Sequence, residues 1–365
     1  MRPPLSVAGR EVAWGRLRGG MGVRVGIGLF TGQGLPGMER SFTQEYRETL
    51  DLVRLAETLG FESAWVSEHH GAGDGYLPSL LPILSAFAAS TERILLGTGV
   101  MLTPFHHPLR LAEDAATVDL LSGGRLILGL GLGWREEEFR MFGLPVRERV
   151  ARTVETVEIL RRAWTGERFS FAGRMFSFDR VQVRPRPERP DGAVVPIWLG
   201  GMAEGAVRRA GRLGDGYLRT RGGNVDSMRE DAAKVDAAAR EAGRGELSFG
   251  QLQNVFVWQD GDAWEVVQEG AQHHLGVYGG WAAGGDTPGK GYLSEPPDDA
   301  TLRIVTPAGT PEEVVRRLRP MIEAFGSRHD FHLVVRLQYP GMAFETSARA
   351  MELFAAKVIP ALRPS

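Results

Sequence analysis

Cysteine is absent from the 365 residues, which excludes disulfides, thiolate nucleophiles, zinc-thiolate sites and iron-sulfur clusters. Redox chemistry in this chain therefore needs a borrowed cofactor. Lysine is nearly absent as well, the whole set being Lys234, Lys290 and Lys357. The first and last fall on helical patterns and Lys290 in a glycine-rich tract, so no strand end carries the amine that Schiff-base chemistry requires. No apolar run reaches the roughly 18 residues of a membrane helix, and the basic start MRPPLSVAGREVAWGRLRGG lacks the apolar stretch of a secretory signal. A cytoplasmic location is the expectation. A formal net charge of -2 gives neither nucleic acid nor an anionic membrane a reason to bind. No GxSxG elbow or Walker loop occurs, and Gly129, Gly131 and Gly133 alternate within a strand pattern, the wrong context for a dinucleotide fingerprint. The doublets His69-His70, His106-His107 and His273-His274 lack the alternating spacing that aims two ligands the same way, so no metal site is expected.

What the chain does have is alternation. Val23 to Phe30 reads as a strand and Thr43 to Leu59 as an amphipathic helix closed by Gly60. Strand patterns follow at Phe61 to Ser67, Ile94 to Val100, Gly124 to Gly133, Val194 to Leu199, Gly214 to Leu218, Leu247 to Trp258 and Phe331 to Leu337, each with a helical pattern after it. Eight such units predict a parallel (β/α)₈ TIM barrel with insertions, its functional residues at strand carboxyl ends. Residues 22–365 are expected to form one domain, with 1–21 as a flexible arm. Three segments exceed ordinary connections: 135–147, 166–193 and 259–308. Arg168 to Val183, with alternating aromatics around Ala-Gly-Arg, predicts a surface hairpin. The last segment holds a helix and then GGWAAGGDTPGKGY, which is either disordered or a lid over the barrel mouth.

Two strand ends stand out, GTGVM at Gly97 to Met101 and GLGLGW at Gly129 to Trp134, where closely spaced glycines let a flat ligand approach the backbone. Glu68-His69-His70 follows the second strand and puts titratable groups at the mouth. Neighbouring strand residues point to opposite faces, so one histidine of the pair faces inward. It is either a hydrogen-bonded structural group or a general base beside a cofactor, with Glu68 at its side. Gly200-Gly201-Met202-Ala203 runs from the fifth strand into a helix start, where unpaired N–H groups and the helix dipole attract phosphate; the same glycine pair also suits a plain tight turn.

The motifs AWVSEHH (64–70), GTGVMLTPFHHPLRLAEDAATVDLLSGGR (97–125), LGLGLGWREEEF (128–139) and VPIWLGG (195–201) resemble the bacterial luciferase-like superfamily of (β/α)₈ flavin-dependent monooxygenases and coenzyme F420-dependent oxidoreductases. The resemblance implies a catalytic histidine at His69, a ring-supporting bulge with a cis peptide at Gly99-Val100, and a phosphate loop at Gly200, Gly201, Met202 and Ala203; the glycine-rich strand end itself puts Gly131, Gly133 and Trp134 in the floor under the flat ligand. It departs from luciferase itself at Gly131-Leu132 and Met202-Ala203, and from the deazaflavin sugar-phosphate dehydrogenases at Trp134, where those carry glutamate. On this likeness the expected function is a monooxygenase that takes reduced FMN from a separate flavin reductase and uses oxygen on a small organic substrate. Hydride transfer with coenzyme F420 is the alternative, because both cofactors share a planar tricycle and a phosphate at one end; Arg208, Arg209 and Arg212 either meet the acidic tail of the deazaflavin or form a wet helix face. A non-catalytic flavin-binding protein is the alternative of another class. A homodimer stays open.

Overall fold

A computed structural model describes residues 22–38, 40–189, 192–220, 224–283 and 298–363. The expected arm at 1–21 and most of the glycine-rich tract, from 284 to 297, lie outside them. Eight parallel strands close into a barrel: β1 Val23–Phe30, β2 Ser63–Val66, β3 Leu95–Thr98, β4 Leu126–Gly131, β5 Ile197–Gly200, β6 Gly216–Arg219, β7 Ser248–Asn254 and β8 Phe331–Arg336. Each pairs with the next, and β8 returns to β1 with Val23 opposite Phe331.

The helices start and stop where local chemistry dictates. Helix α1, Phe42–Leu59, opens on the Ser41 hydroxyl accepting from Gln44 N–H and closes on Gly60 at φ 86°, the left-handed conformation that glycine adopts without a Cβ penalty. Helices α2, Leu80–Ser90, and α3, Pro108–Ser122, flank β3. After β4 come a short α4, Glu136–Met141, and α5, Arg149–Ala163. The expected hairpin forms, with Phe169–Ala172 antiparallel to Ser177–Val181. Helix α6, Glu204–Leu213, follows β5, and α7, Val225–Glu241, follows β6.

The long segment between β7 and β8 carries α8, Ala263–Ala283, and α9, Asp299–Val305. Its two ends are tied by a ladder of Phe256–Val257 with Ala308–Gly309. Helix α10, Pro311–Phe325, then opens on a reciprocal capping box of Thr310 and Glu313, and α11, Phe344–Leu353, follows β8. None of the described helices is long and apolar enough to cross a membrane.

Two tryptophans plug the barrel. Trp65 on β2 and Trp198 on β5 meet at 5.4 Å between centroids, with the His332 ring edge-on to both. Their bulk fits because the neighbouring strands carry glycine at the paired positions: a Cβ on Gly97 would lie 2.2 Å from the Trp65 ring, and one on Gly216 2.5 Å from the Trp198 ring. The lower barrel is therefore packed side chain, and access is from the carboxyl end.

Candidate active site

Above the tryptophan layer the strand ends splay apart. The Gly99–Val100 peptide is cis, as the resemblance implies, and so is Gly28–Leu29 on β1. Beyond the bulge, Val100 reaches over the barrel mouth. A Cβ on Gly131 would lie 2.5 Å from Val100 Cγ2, and one on Gly200 2.7 Å from Cγ1. The glycines of β4 and β5 thus make room for Val100, and three sequence-predicted cofactor residues meet at one point.

His69 is buried at the mouth, with Nδ1 2.9 Å from Glu138 Oε1. The same oxygen accepts the His70 backbone N–H at 2.9 Å, and Arg135 Nη1 lies 3.4 Å away. With Nδ1–H donated to this carboxylate, Nε2 is the atom left for a reacting group. Four aromatic rings surround the imidazole, with centroids at 4.8 Å for Tyr76, 6.5 Å for Trp134, 5.4 Å for Tyr278 and 4.7 Å for Trp281. The last two come from α8, which therefore lies across the mouth, and the Arg135 guanidinium sits 3.9 Å over the Trp281 ring. Aromatic walls keep water from the imidazole and strengthen any charge interaction there.

Glu68 is placed differently from His69. Its carboxylate meets His70 Nε2 at 2.6 Å and His106 Nε2 at 3.0 Å, and accepts the Leu102 N–H at 2.8 Å. Burial alone would raise its pKa, but His106 and His70 outweigh it and hold the carboxyl down to about 2. His106 moves the other way: burial disfavours its cation, yet Glu68 raises its pKa. Both Glu68 oxygens are spent on tying β2 to the segment after β3, which leaves Glu68 as a positioning group and His69 as the group facing the mouth.

The Gly200–Ala203 loop ends one residue before α6, later than the glycine pair suggested, with Ala203 as N-cap. Gly201, at φ 144°, turns the chain there, and Tyr217 OH donates to its carbonyl at 2.9 Å. A small cleft beside the loop is lined by Gly131, Thr153, Gly200, Ala206 and Arg209. Thr153 Oγ1 is buried with no hydrogen-bond partner. Met202 and Ala203 are on the open side. Arg209 is buried, and its pKa is lowered by that burial and by Arg212 and Arg149. The three cations have no ion-pair partner among the described residues, and Arg149 Nη1 is buried without a hydrogen bond. Arg208, by contrast, pairs with Glu204 at 2.9 Å on the exposed face. A helix start, a glycine loop and three uncompensated arginines fit the phosphate end of a flavin-type cofactor.

The luciferase-like monooxygenase model matches residues 23–329. The chain belongs to this family. An F420-dependent glucose-6-phosphate dehydrogenase of Kineococcus radiotolerans is 30% identical over 333 residues, covering 86% of this chain and 92% of the relative. One of Nakamurella multipartita is 38% identical over 185 residues, but this luciferase-like chain then spans only 52% of the relative's length. Two further dehydrogenases of that name are matched over 63% and 60% of their length. Among solved structures, the monooxygenase RslO1 from Streptomyces bottropensis superposes with a TM-score of 0.76 at 29% identity, covering 93% of this chain and 99% of that one.

Of the residues singled out in the sequence, His69 and Trp134 meet at the mouth, Gly99, Val100, Gly131 and Gly200 form the bulge and its cradle, and Gly201 to Ala203 lead to α6. Gly133, at φ 70°, lies against the Phe139 ring. Glu138, Tyr76, Tyr278 and Trp281 were not anticipated. Glu138 sat in plain view in the acidic run Glu136-Glu137-Glu138; its position on the buried side of α4 could not be read from so short a helix.

Proposed function

We propose that this chain is a coenzyme F420-dependent oxidoreductase that binds the deazaflavin over Val100, with its phosphate at Gly200–Ala203, and reacts it with a small organic substrate beside His69. This reverses the order in which FMN and F420 stood on sequence grounds. The observation that carries it is the cluster of Arg149, Arg209 and Arg212. Arg212 stands about 12 Å along the α6 axis from Glu204, so the cationic strip extends past the reach of one phosphate and suits an acidic tail. Like charges left unpaired in a partly buried strip are costly unless an anion joins them. The named activity of the full-length relative in Kineococcus radiotolerans adds to this reading.

The deazaflavin supplies a two-electron hydride carrier. The chain's own part is to exclude water with the rings around His69, to back the cofactor with Val100, and to hold or accept a proton at His69 Nε2. Glucose 6-phosphate is not the substrate we propose. Trp134 occupies the position of the dehydrogenases' glutamate, and the aromatic enclosure suits an apolar carbonyl or alcohol better than a sugar phosphate.

A reduced-FMN monooxygenase is the second reading, favoured by the 29% identity to RslO1 over nearly its whole length. An anaerobic assay separates the two. Purified protein with oxidised F420 and a panel of alcohols should bleach the deazaflavin's visible absorption. Absence of bleaching, together with substrate-dependent oxygen uptake in the presence of reduced FMN, would establish the second reading in its place.

A further inference from the structure

Arg336 closes β8 at the barrel mouth. Along this strand Phe331, Leu333 and Val335 pack outward under the helices, whereas His332 and Val334 face the barrel interior. Arg336 is next in the inward series. It is 3% exposed, and its Nη1 is buried with no hydrogen-bond partner. Its charge is felt at Tyr76 and at His274. Tyr76 packs on His69 and shares a 2.9 Å hydrogen bond with Tyr278, while the His274 ring lies 5.3 Å from that of Tyr278. Arg336 therefore borders the same enclosure as His69.

The carboxylates near the mouth have partners other than Arg336. Glu138 serves His69 and Arg135, Glu68 serves His70 and His106, and Asp74 serves Gln33 and His273. Among the described residues none lies within ion-pair distance of Arg336. The Tyr339 ring, 6.0 Å from Cζ, offers a weak cation–π contact but accepts no N–H. His274 cannot compensate the charge either. Burial, Arg336, His273 and His69 together push its pKa well below the ordinary value, so it stays neutral, and its Nδ1 is buried without a partner. A buried guanidinium left unpaired is among the most unfavourable arrangements a fold can hold. Its planar fork matches a carboxylate.

We propose that Arg336 receives the carboxylate of the substrate, so that the enzyme acts on a small aromatic or apolar carboxylic acid whose reactive carbon extends toward His69. The proposal rests on the reading of the mouth as a substrate site for hydride transfer, and it narrows the substrate to a monoanion. A phosphate dianion would call for a second cation, and the other arginine at the mouth, Arg135, is held by Glu137 at 2.7 Å and by the His70 carbonyl at 2.9 Å.

Trp134 and Trp281 supply a binding signal that needs no turnover. Quenching of tryptophan fluorescence is measured with benzoate and phenylacetate, with their neutral amides, and with phenyl phosphate. The acids should bind at least about tenfold more tightly than the amides. Arg336→Gln should remove that preference while leaving amide binding within about twofold, and Arg336→Lys should keep part of it. Equal affinity for acids and amides, no binding of either acid, or tighter binding of phenyl phosphate would overturn the proposal. So would an unchanged acid preference in Arg336→Gln. The comparison within the wild-type protein decides the matter even if the variants fold poorly. A parallel titration with F420 shows separately whether the cofactor reading stands.

Discussion

Glu138 Oε1 accepts from both His69 Nδ1 and the His70 backbone N–H, each at 2.9 Å. One buried carboxylate on α4 therefore fixes the imidazole's tautomer and the strand end that carries it. His69→Ala should lower turnover by about 10² to 10⁴, the usual contribution of a positioned acid-base group, while cofactor affinity stays within a few-fold. Glu138→Gln should cost about 10- to 100-fold in kcat with little change in KM. A Glu138 variant that raised KM alone would make the residue a substrate contact and not a positioning group.

Glu68 and His106 define a pH window. The Glu68 carboxyl, depressed from 4.5 to about 2, contributes stability above its unfolded pKa, and that stability is lost as pH falls through about 2. The depression corresponds to roughly 3 kcal/mol. His106, raised above 6.5, contributes below its unfolded pKa and loses that contribution as pH rises past its folded pKa. Glu68→Gln should lower Tm near neutral pH and flatten its decline below pH 4.5. A Tm profile in Glu68→Gln that runs parallel to wild type through the acid range would show that this carboxylate does not carry the dependence.

The barrel, its strand-end glycines and the loop before α6 were legible in the sequence because their signals are local. Periodicity marked the strands, Gly60 marked a helix end, and glycine pairs marked the loops. The walls of the site were not. Tyr278 hydrogen-bonds Tyr76 across 202 positions of sequence, and no local pattern says that α8 will lie over the mouth. By spacing, Arg208, Arg209 and Arg212 are either tail contacts or a wet helix face; burial of Arg209 separates it from the exposed Arg208, and helical periodicity alone cannot tell which side is covered.

The glycines facing the barrel tryptophans give a stability prediction. Gly97→Ala and Gly216→Ala each place a methyl against an indole with no room to move, and should cost about 1 to 3 kcal/mol by overpacking. Thermal denaturation measures it, and Trp65→Phe should recover part of the loss in Gly97→Ala. Wild-type melting in both glycine variants would mean that the indoles are not locked in the barrel.

Removing cations from the strip should weaken the acidic cofactor selectively. Arg209→Ala and Arg149→Ala should each reduce F420 affinity by about tenfold or more and steepen neither the melting transition nor the response to riboflavin, which has no phosphate. Equal losses for F420 and riboflavin would point to a distorted ring site and not to a lost anion contact.

The cofactor decides the account, and a direct titration measures it. Wild-type protein titrated with oxidised F420 and, separately, with FMN, each followed by cofactor fluorescence, should show micromolar or tighter binding of F420 and binding of FMN at least about tenfold weaker. Tight binding of FMN with no measurable affinity for F420 would contradict hydride transfer by the deazaflavin on this barrel.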